Sequence, residues 1–212
     1  MIRAARAKES AVVMMLTALA LRGSVTSAAE SDPPVTGSIT GYYYAMRDQS
    51  DYGVGVASLN RGALHLEARY NYEASHSASI FAGWNFAGGN DVTFQITPIV
   101  GALFGETHGV VPGVEAGVAY RDVDAYIEAE YVYDRGNHSN SYFYAWSEIG
   151  WKPMQWLRVG LAGQRSHEVE NGRDFQRGAF IQLILDKVTL GLYGFNPDSS
   201  SRYLIVSLGV QF

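Results

Sequence analysis

The chain has no cysteine, so neither a disulfide framework nor a thiolate metal site can hold it together. Charged residues make up only 17% of its 212 residues, which excludes a self-repelling disordered chain. No stretch reaches the roughly 20 consecutive apolar residues of a membrane-crossing helix, so a polytopic helical membrane protein is excluded as well. Lysine almost disappears after the first thirty residues, where only Lys152 and Lys187 remain. There is no glycine-rich phosphate loop, zinc signature or calcium-loop spacing, and no cofactor is expected. What the chain does have is 23 glycines and 14 tyrosines against 6 prolines. That is a composition for strands and turns.

The N-terminal segment is built as an export address. Arg3, Arg6 and Lys8 make a basic start, residues 11–21 form an uncharged apolar run, and Ser27, Ala28 and Ala29 supply small residues for cleavage. This order is that of a secretory signal peptide, and the run is too short to span a bilayer. The expected leader is 1–29, followed by a short lead at 30–35. Its removal takes away four basic residues and one acid, so the formal charge falls from −5 to −8. A nucleic-acid partner is not expected, since no basic surface is left to neutralise phosphates.

Beyond residue 35 the period is two almost everywhere. Leu64, Leu66, Ala68, Tyr70 and Tyr72 alternate with His65, Glu67, Arg69, Asn71 and Glu73. One face is apolar and the other charged, as a strand between two different solvents requires. The spacing predicts twelve strands, with ten as the alternative, at 36–47, 51–59, 62–73, 77–87, 91–103, 109–120, 124–134, 141–151, 155–164, 176–186, 188–195 and 202–212. The even-numbered gaps are tight. Several odd-numbered ones are longer and polar, including 135–140 and 165–175. Aromatics gather near strand ends, at Tyr52, Tyr72, Trp84, Phe86, Tyr120, Tyr131, Tyr133, Phe143 and Trp151, as interfacial girdles would. A soluble β-sandwich or lipocalin-like barrel would also alternate, but its solvent-facing strands would be rich in Lys and Thr.

The last segment begins at Tyr203, is apolar at every second position, and ends on Phe212. With the leader and the alternating strands, this resembles bacterial outer-membrane β-barrel proteins. The resemblance covers the whole chain at the level of architecture and points to no single functional family. It implies an all-β fold, a closed antiparallel transmembrane β-barrel over 36–212, in the outer membrane of a Gram-negative bacterium. It also implies outer-membrane lipids as surroundings and the barrel-assembly machinery as a partner that reads the strand from Tyr203 to Phe212.

The polar faces then line the lumen. In an antiparallel hairpin, opposed residues share a constant index sum. Sums of 243, 276, 306 and 340 place Glu115 opposite Glu128, Glu128 opposite Glu148, Glu148 opposite Arg158, and Arg158 opposite Gln182. These five residues form an expected belt. His65, Glu67 and Arg69 form a second patch, and a sum of 150 sets Asn85 opposite His65. Three carboxylates and one guanidinium would favour cations, so the first expectation is a small passive channel for polar, neutral or weakly cationic solutes. Two alternatives accompany it. One is an outer-membrane lipid hydrolase, which needs an activated Ser beside His65. The other is a closed structural or adhesive barrel.

Overall fold

The computed structural model describes residues 32–47, 49–168 and 172–212, with side chains described for all of these except 166–168 and 172–174. The leader expected at 1–29 and the first two residues of the lead lie outside them. The elements in order are β1 (Val35–Met46), β2 (Tyr52–Arg61), β3 (Leu64–Tyr70), β4 (Ser77–Trp84), β5 (Phe86–Gly89), β6 (Val92–Gly105), β7 (Gly109–Tyr120), β8 (Val123–Asp134), one short 3-10 turn (His138–Asn140), β9 (Tyr142–Met154), β10 (Leu157–Glu168), β11 (Gly172–Leu185), β12 (Val188–Phe195) and β13 (Tyr203–Gln211). Each pairs antiparallel with its neighbours, and β1 pairs with β13. The sheet therefore closes on itself.

Thirteen segments make twelve staves. β4 and β5 both pair with β6, and Gly83↔Ile99 and Phe86↔Ile96 belong to one unbroken register. The interruption lies opposite Pro98, which has no N–H to give the ladder. Pro112 coincides with a similar gap between β7 and β8, where pairing jumps from Val110↔Tyr133 to Gly113↔Glu130.

All five connections at one end are two residues long, while those at the other run from three to seven. Two-residue turns need backbone twisted into the left-handed region. Gly62, Arg121 and Asp186 supply it, with φ of 59°, 53° and 56°. The start of β1 and the end of β13 lie at the tight-turn end, where Gly37 and Phe212 exchange backbone hydrogen bonds of 2.9 and 3.0 Å.

The burial pattern is inverted relative to a soluble protein. Along β3, His65, Glu67 and Arg69 are buried, while Leu64, Leu66 and Tyr70 are exposed. The same holds round the barrel: Ile39, Ile80, Val100, Ile149, Leu161, Leu190 and Leu208 all face outward. Exposed aromatics sit towards both ends, with Trp84, Tyr120, Trp151 and Trp156 near the tight turns and Tyr43, Tyr70, Phe104 and Tyr131 near the long loops. An apolar band between two aromatic girdles suits a bilayer.

Three expectations of detail are corrected. Tyr72 does not join the girdle: β3 ends at Tyr70, Asn71 takes φ 60°, and the broken period swings Tyr72 inward against Tyr144. Tyr52 stacks on Tyr44, itself buried, with ring centroids 4.5 Å apart. The loop expected at 165–175 is largely strand, since β10 and β11 pair out to Glu168↔Gly172.

The outward Leu208 is opposite Gly41 and Leu190, near the middle of its stave. Leu208→Arg should destabilise the barrel in lipid vesicles by about 2–4 kcal/mol, read by urea unfolding with tryptophan fluorescence. A loss near zero would contradict a lipid-facing position.

Candidate lumen and its charged clusters

All eight residues expected in the lumen are buried on the inner wall: His65, Glu67, Arg69, Glu115, Glu128, Glu148, Arg158 and Gln182. They do not form one belt. Two of the four expected pairings are observed, Glu115↔Glu128 and Arg158↔Gln182. The others are displaced. Glu128 faces Trp146, because the loop of residues 135–141 turns one residue earlier than the His138-centred turn assumed from sequence. Glu148 faces Ala162 rather than Arg158, because the turn is at residues 155–156 and Pro153 belongs to β9. Lys152 and Pro153 together oppose Arg158, a β-bulge that shifts the register between Leu157 and Val159. His65 is opposite Gly83, not Asn85.

Two clusters replace the belt. In the first, Arg158 donates from Nη2 to Asp124 (2.6 Å) and from Nη1 to Glu148 (2.6 Å) and Gln182 (2.9 Å). Glu148 also accepts from Trp146 Nε1 at 3.1 Å and Tyr193 Oη at 3.2 Å. Lys152 Nζ lies 3.6 Å from Asp124. Two cations thus face two carboxylates. Gly150 leaves room for this arrangement, since a Cβ there would come within 2.8 Å of the Arg158 Cζ. Phe180 covers the guanidinium at 4.6 Å.

In the second cluster, Arg69 is paired with Glu67, Glu73 (3.3 Å), Glu115 (3.5 Å), Glu128 (2.9 Å) and Glu130 (2.6 Å). Phe81 and Tyr72 pack over its guanidinium at 4.3 and 4.6 Å. One cation here faces five carboxylates. The surplus of negative charge is therefore local to this side of the lumen. Glu73, Glu130 and Asp124 are additions that the sequence reading did not single out. Glu130 was visible in principle, two residues from Glu128 on the same face.

Aromatic rings on β9, β11, β12 and β13 pack together inside the barrel. Phe195 stacks on Tyr203 at 5.0 Å, Trp146 lies 5.5 Å from Phe195, and Phe180 lies 5.3 Å from Tyr193. A cavity of about 50 Å³ persists among Tyr42, Tyr126, Glu67, Arg69, Glu115 and Glu128. A far larger hollow, about 1170 Å³, is lined mostly by outward residues such as Leu161, Gly163, Ala179 and Leu204. It lies on the lipid side of the wall and is not a lumen. At the long-loop end, Asp51 accepts from Tyr43 Oη (2.6 Å) and the Met46 N–H (2.9 Å), bonds that hold its carboxyl below the usual carboxylate range.

Among the described residues, the geometry a serine hydrolase needs is not assembled around His65. Its Nδ1 hydrogen-bonds Asn60 Oδ1 at 2.9 Å, its Nε2 lies 3.6 Å from Glu67, and no described serine is among its partners.

Neither protein-family models nor curated proteins give a match to the chain. Solved structures do. A KdgM porin superposes with a TM-score of 0.58 at 12% identity, over 82% of this chain and 98% of the porin. A KdgM porin in complex with disordered oligogalacturonate gives 0.59 at 11% identity, over the same shares. A NanC porin gives 0.58 at 9% identity, over 83% and 98%. At these identities the likeness is one of fold alone.

Removing one member of a buried ion pair leaves its partner uncompensated, at a cost of about 3–5 kcal/mol. Arg158→Met should destabilise the barrel by that order, and adding Asp124→Asn and Glu148→Gln should recover much of it. Unfolding midpoints of the single and triple variants check this.

Proposed function

We propose that the chain is an integral outer-membrane barrel of a Gram-negative bacterium, forming a small passive channel for polar, neutral or weakly cationic solutes. In this reading the leader at 1–29 is cleaved, 30–35 is a periplasmic lead, and 36–212 is the barrel. The assembly machinery reads the strand from Tyr203 to Phe212, and outer-membrane lipids surround the apolar band. The function is transport rather than catalysis.

One observation carries the reading. The inner wall gathers Glu67, Glu115 and Glu128 around a small cavity, with carboxylates outnumbering guanidinium groups. Carboxylate rings select cations in a narrow passage. The constriction residues are His65, Glu67, Arg69, Glu115, Glu128, Glu148, Arg158 and Gln182. The likeness in fold to porins supports a channel.

A second reading rests on the aromatic layer. Trp146, Phe180, Tyr193, Phe195 and Tyr203 are each at most 8% exposed, and packing of that density suits a closed barrel whose loops make the contacts. Planar-bilayer recording separates the two. The channel reading expects small cation-selective currents, with selectivity reduced in Glu115→Gln, Glu128→Gln and Glu148→Gln combined. Absence of current from folded protein, or anion selectivity unchanged by the three substitutions, would overturn it and favour the closed barrel.

A further inference from the structure

His65, Glu67 and Glu115 present one ligand atom each, all within 4.8 Å of one another and all buried. His65 and Glu67 come from the inward face of β3, and Glu115 comes from β7, three staves away round the wall. Three features point these atoms at a ligand that the protein itself does not supply.

The first is the histidine tautomer. Asn85 Oδ1 accepts from Thr97 Oγ1 at 2.7 Å and from Gln95 Nε2 at 3.2 Å, which fixes its amide. Its Nδ2 then donates to Asn60 Oδ1 at 2.8 Å. Asn60 therefore offers an oxygen to His65 Nδ1, which must donate. In the neutral ring that leaves Nε2 as a bare lone pair. It is buried and has no hydrogen-bond partner. A ring held through Nδ1 by a neighbouring carbonyl oxygen is the arrangement by which metal-binding histidines are oriented.

The second is the division of labour within the carboxylates. Glu67 gives Oε1 to Arg69 and turns Oε2 towards His65. Glu115 gives Oε1 to Arg69, and its Oε2 is buried without a hydrogen-bond partner. Glu115 thus keeps one oxygen unengaged, and the second oxygen of Glu67 meets only the ring nitrogen of His65, at 3.6 Å. The third is charge: five carboxylates surround one guanidinium, and a buried surplus of that kind is relieved by bound protons or by a cation that displaces them.

We propose that His65 Nε2, Glu67 and Glu115 bind a divalent first-row transition-metal ion, of the zinc class, inside the barrel. One imidazole with two carboxylates suits such ions better than magnesium or calcium, which take oxygen alone. Bonds of about 2.1 Å in a tetrahedral site place ligand atoms about 3.4 Å apart. Side-chain rotation closes the remaining gap. The bound ion links β3 to β7 and sits beside the small cavity that Glu67 and Glu115 line, leaving a coordination position open to water or to a passing anionic or neutral ligand.

The test is isothermal titration calorimetry of metal-stripped, folded protein in detergent with zinc chloride. One ion per barrel is expected, with affinity at least tenfold weaker in His65→Ala and in Glu115→Gln. Asn60→Ala, which frees the ring, should weaken binding about tenfold, and Asp198→Asn, at an exposed loop carboxylate, should leave it unchanged. Folding is checked by heat-modifiable gel mobility. X-ray absorption on zinc-loaded wild type provides a readout that needs no variant, and imidazole scattering is expected. No binding by folded wild type, unchanged affinity in His65→Ala and Glu115→Gln, or absence of imidazole scattering would each overturn the site. Calorimetry reads binding without current, so its failure leaves the channel reading standing, and a silent bilayer leaves the metal site standing.

Discussion

In hydrocarbon a backbone N–H or C=O has no water to turn to, so a sheet that crosses it must have no edge. The ladder between β1 and β13 meets that demand. Its nine pairs run from Ser38↔Gln211 to Met46↔Tyr203, and the reciprocal bonds of Gly37 and Phe212 extend it to the last residue. Everything else about the molecule is conditional on this seam. The outward leucines and isoleucines are stable only because the lipid covers them, and the inward charges are tolerable only because the wall is complete. Prolines show how little slack remains, because Pro98 and Pro112 each coincide with a local gap in pairing while the register continues past them.

Closure also fixes how much space the interior has. Eight staves can be filled by side chains, whereas sixteen or more leave a wide aqueous channel. Twelve lie between, and this chain fills most of its lumen with aromatics and two ion clusters. A charge buried there loses its water, and it is stabilised only by partners placed close to it. Arg158 and Arg69 are each nearly fully buried and each covered by an aromatic face. The guanidinium fork suits both positions, because its several donors can satisfy carboxylates on different staves at once. Arg158 thereby ties β8, β9 and β11 together, and Arg69 ties β3 to β7 and β8.

The architecture was legible because it depends on a period of two and on solvent contrast, which single residues report directly. β7 and β12 fall at the expected residues, and the inward set on β3 reads straight off the alternation. Registers were legible only where a turn was tight. The two-residue turn at residues 121–122 allowed Glu115↔Glu128 to be inferred, and the unbroken register of β10 with β11, out to Glu168↔Gly172, kept Arg158↔Gln182 intact. The seven-residue loop before β9 could not fix Glu128, since loop length constrains the sum only loosely. Pro153 misled for a different reason: proline reads as a turn residue, and here it is half of a bulge. Glu73 shares the alternation with Arg69, but β3 ends at Tyr70 and Asn71 takes φ 60°, so the strand period does not place its carboxylate, which reaches Arg69 from the connection beyond the strand at 3.3 Å.

The two clusters differ in a way that composition alone hides. Around Arg158 the charges balance, with Lys152 as the second cation. Around Arg69 they do not, and the imbalance lies on the same side as His65, whose Nε2 has no hydrogen-bond partner. A balanced, fully bonded cluster gains nothing from an added ion and would have to break existing bonds to admit one. An unbalanced cluster with free lone pairs is stabilised by any cation that reaches it. The net charge of the chain is therefore a poor guide to what it attracts. What matters is that the surplus is gathered beside a cavity, behind a wall that keeps the local dielectric low and the field strong.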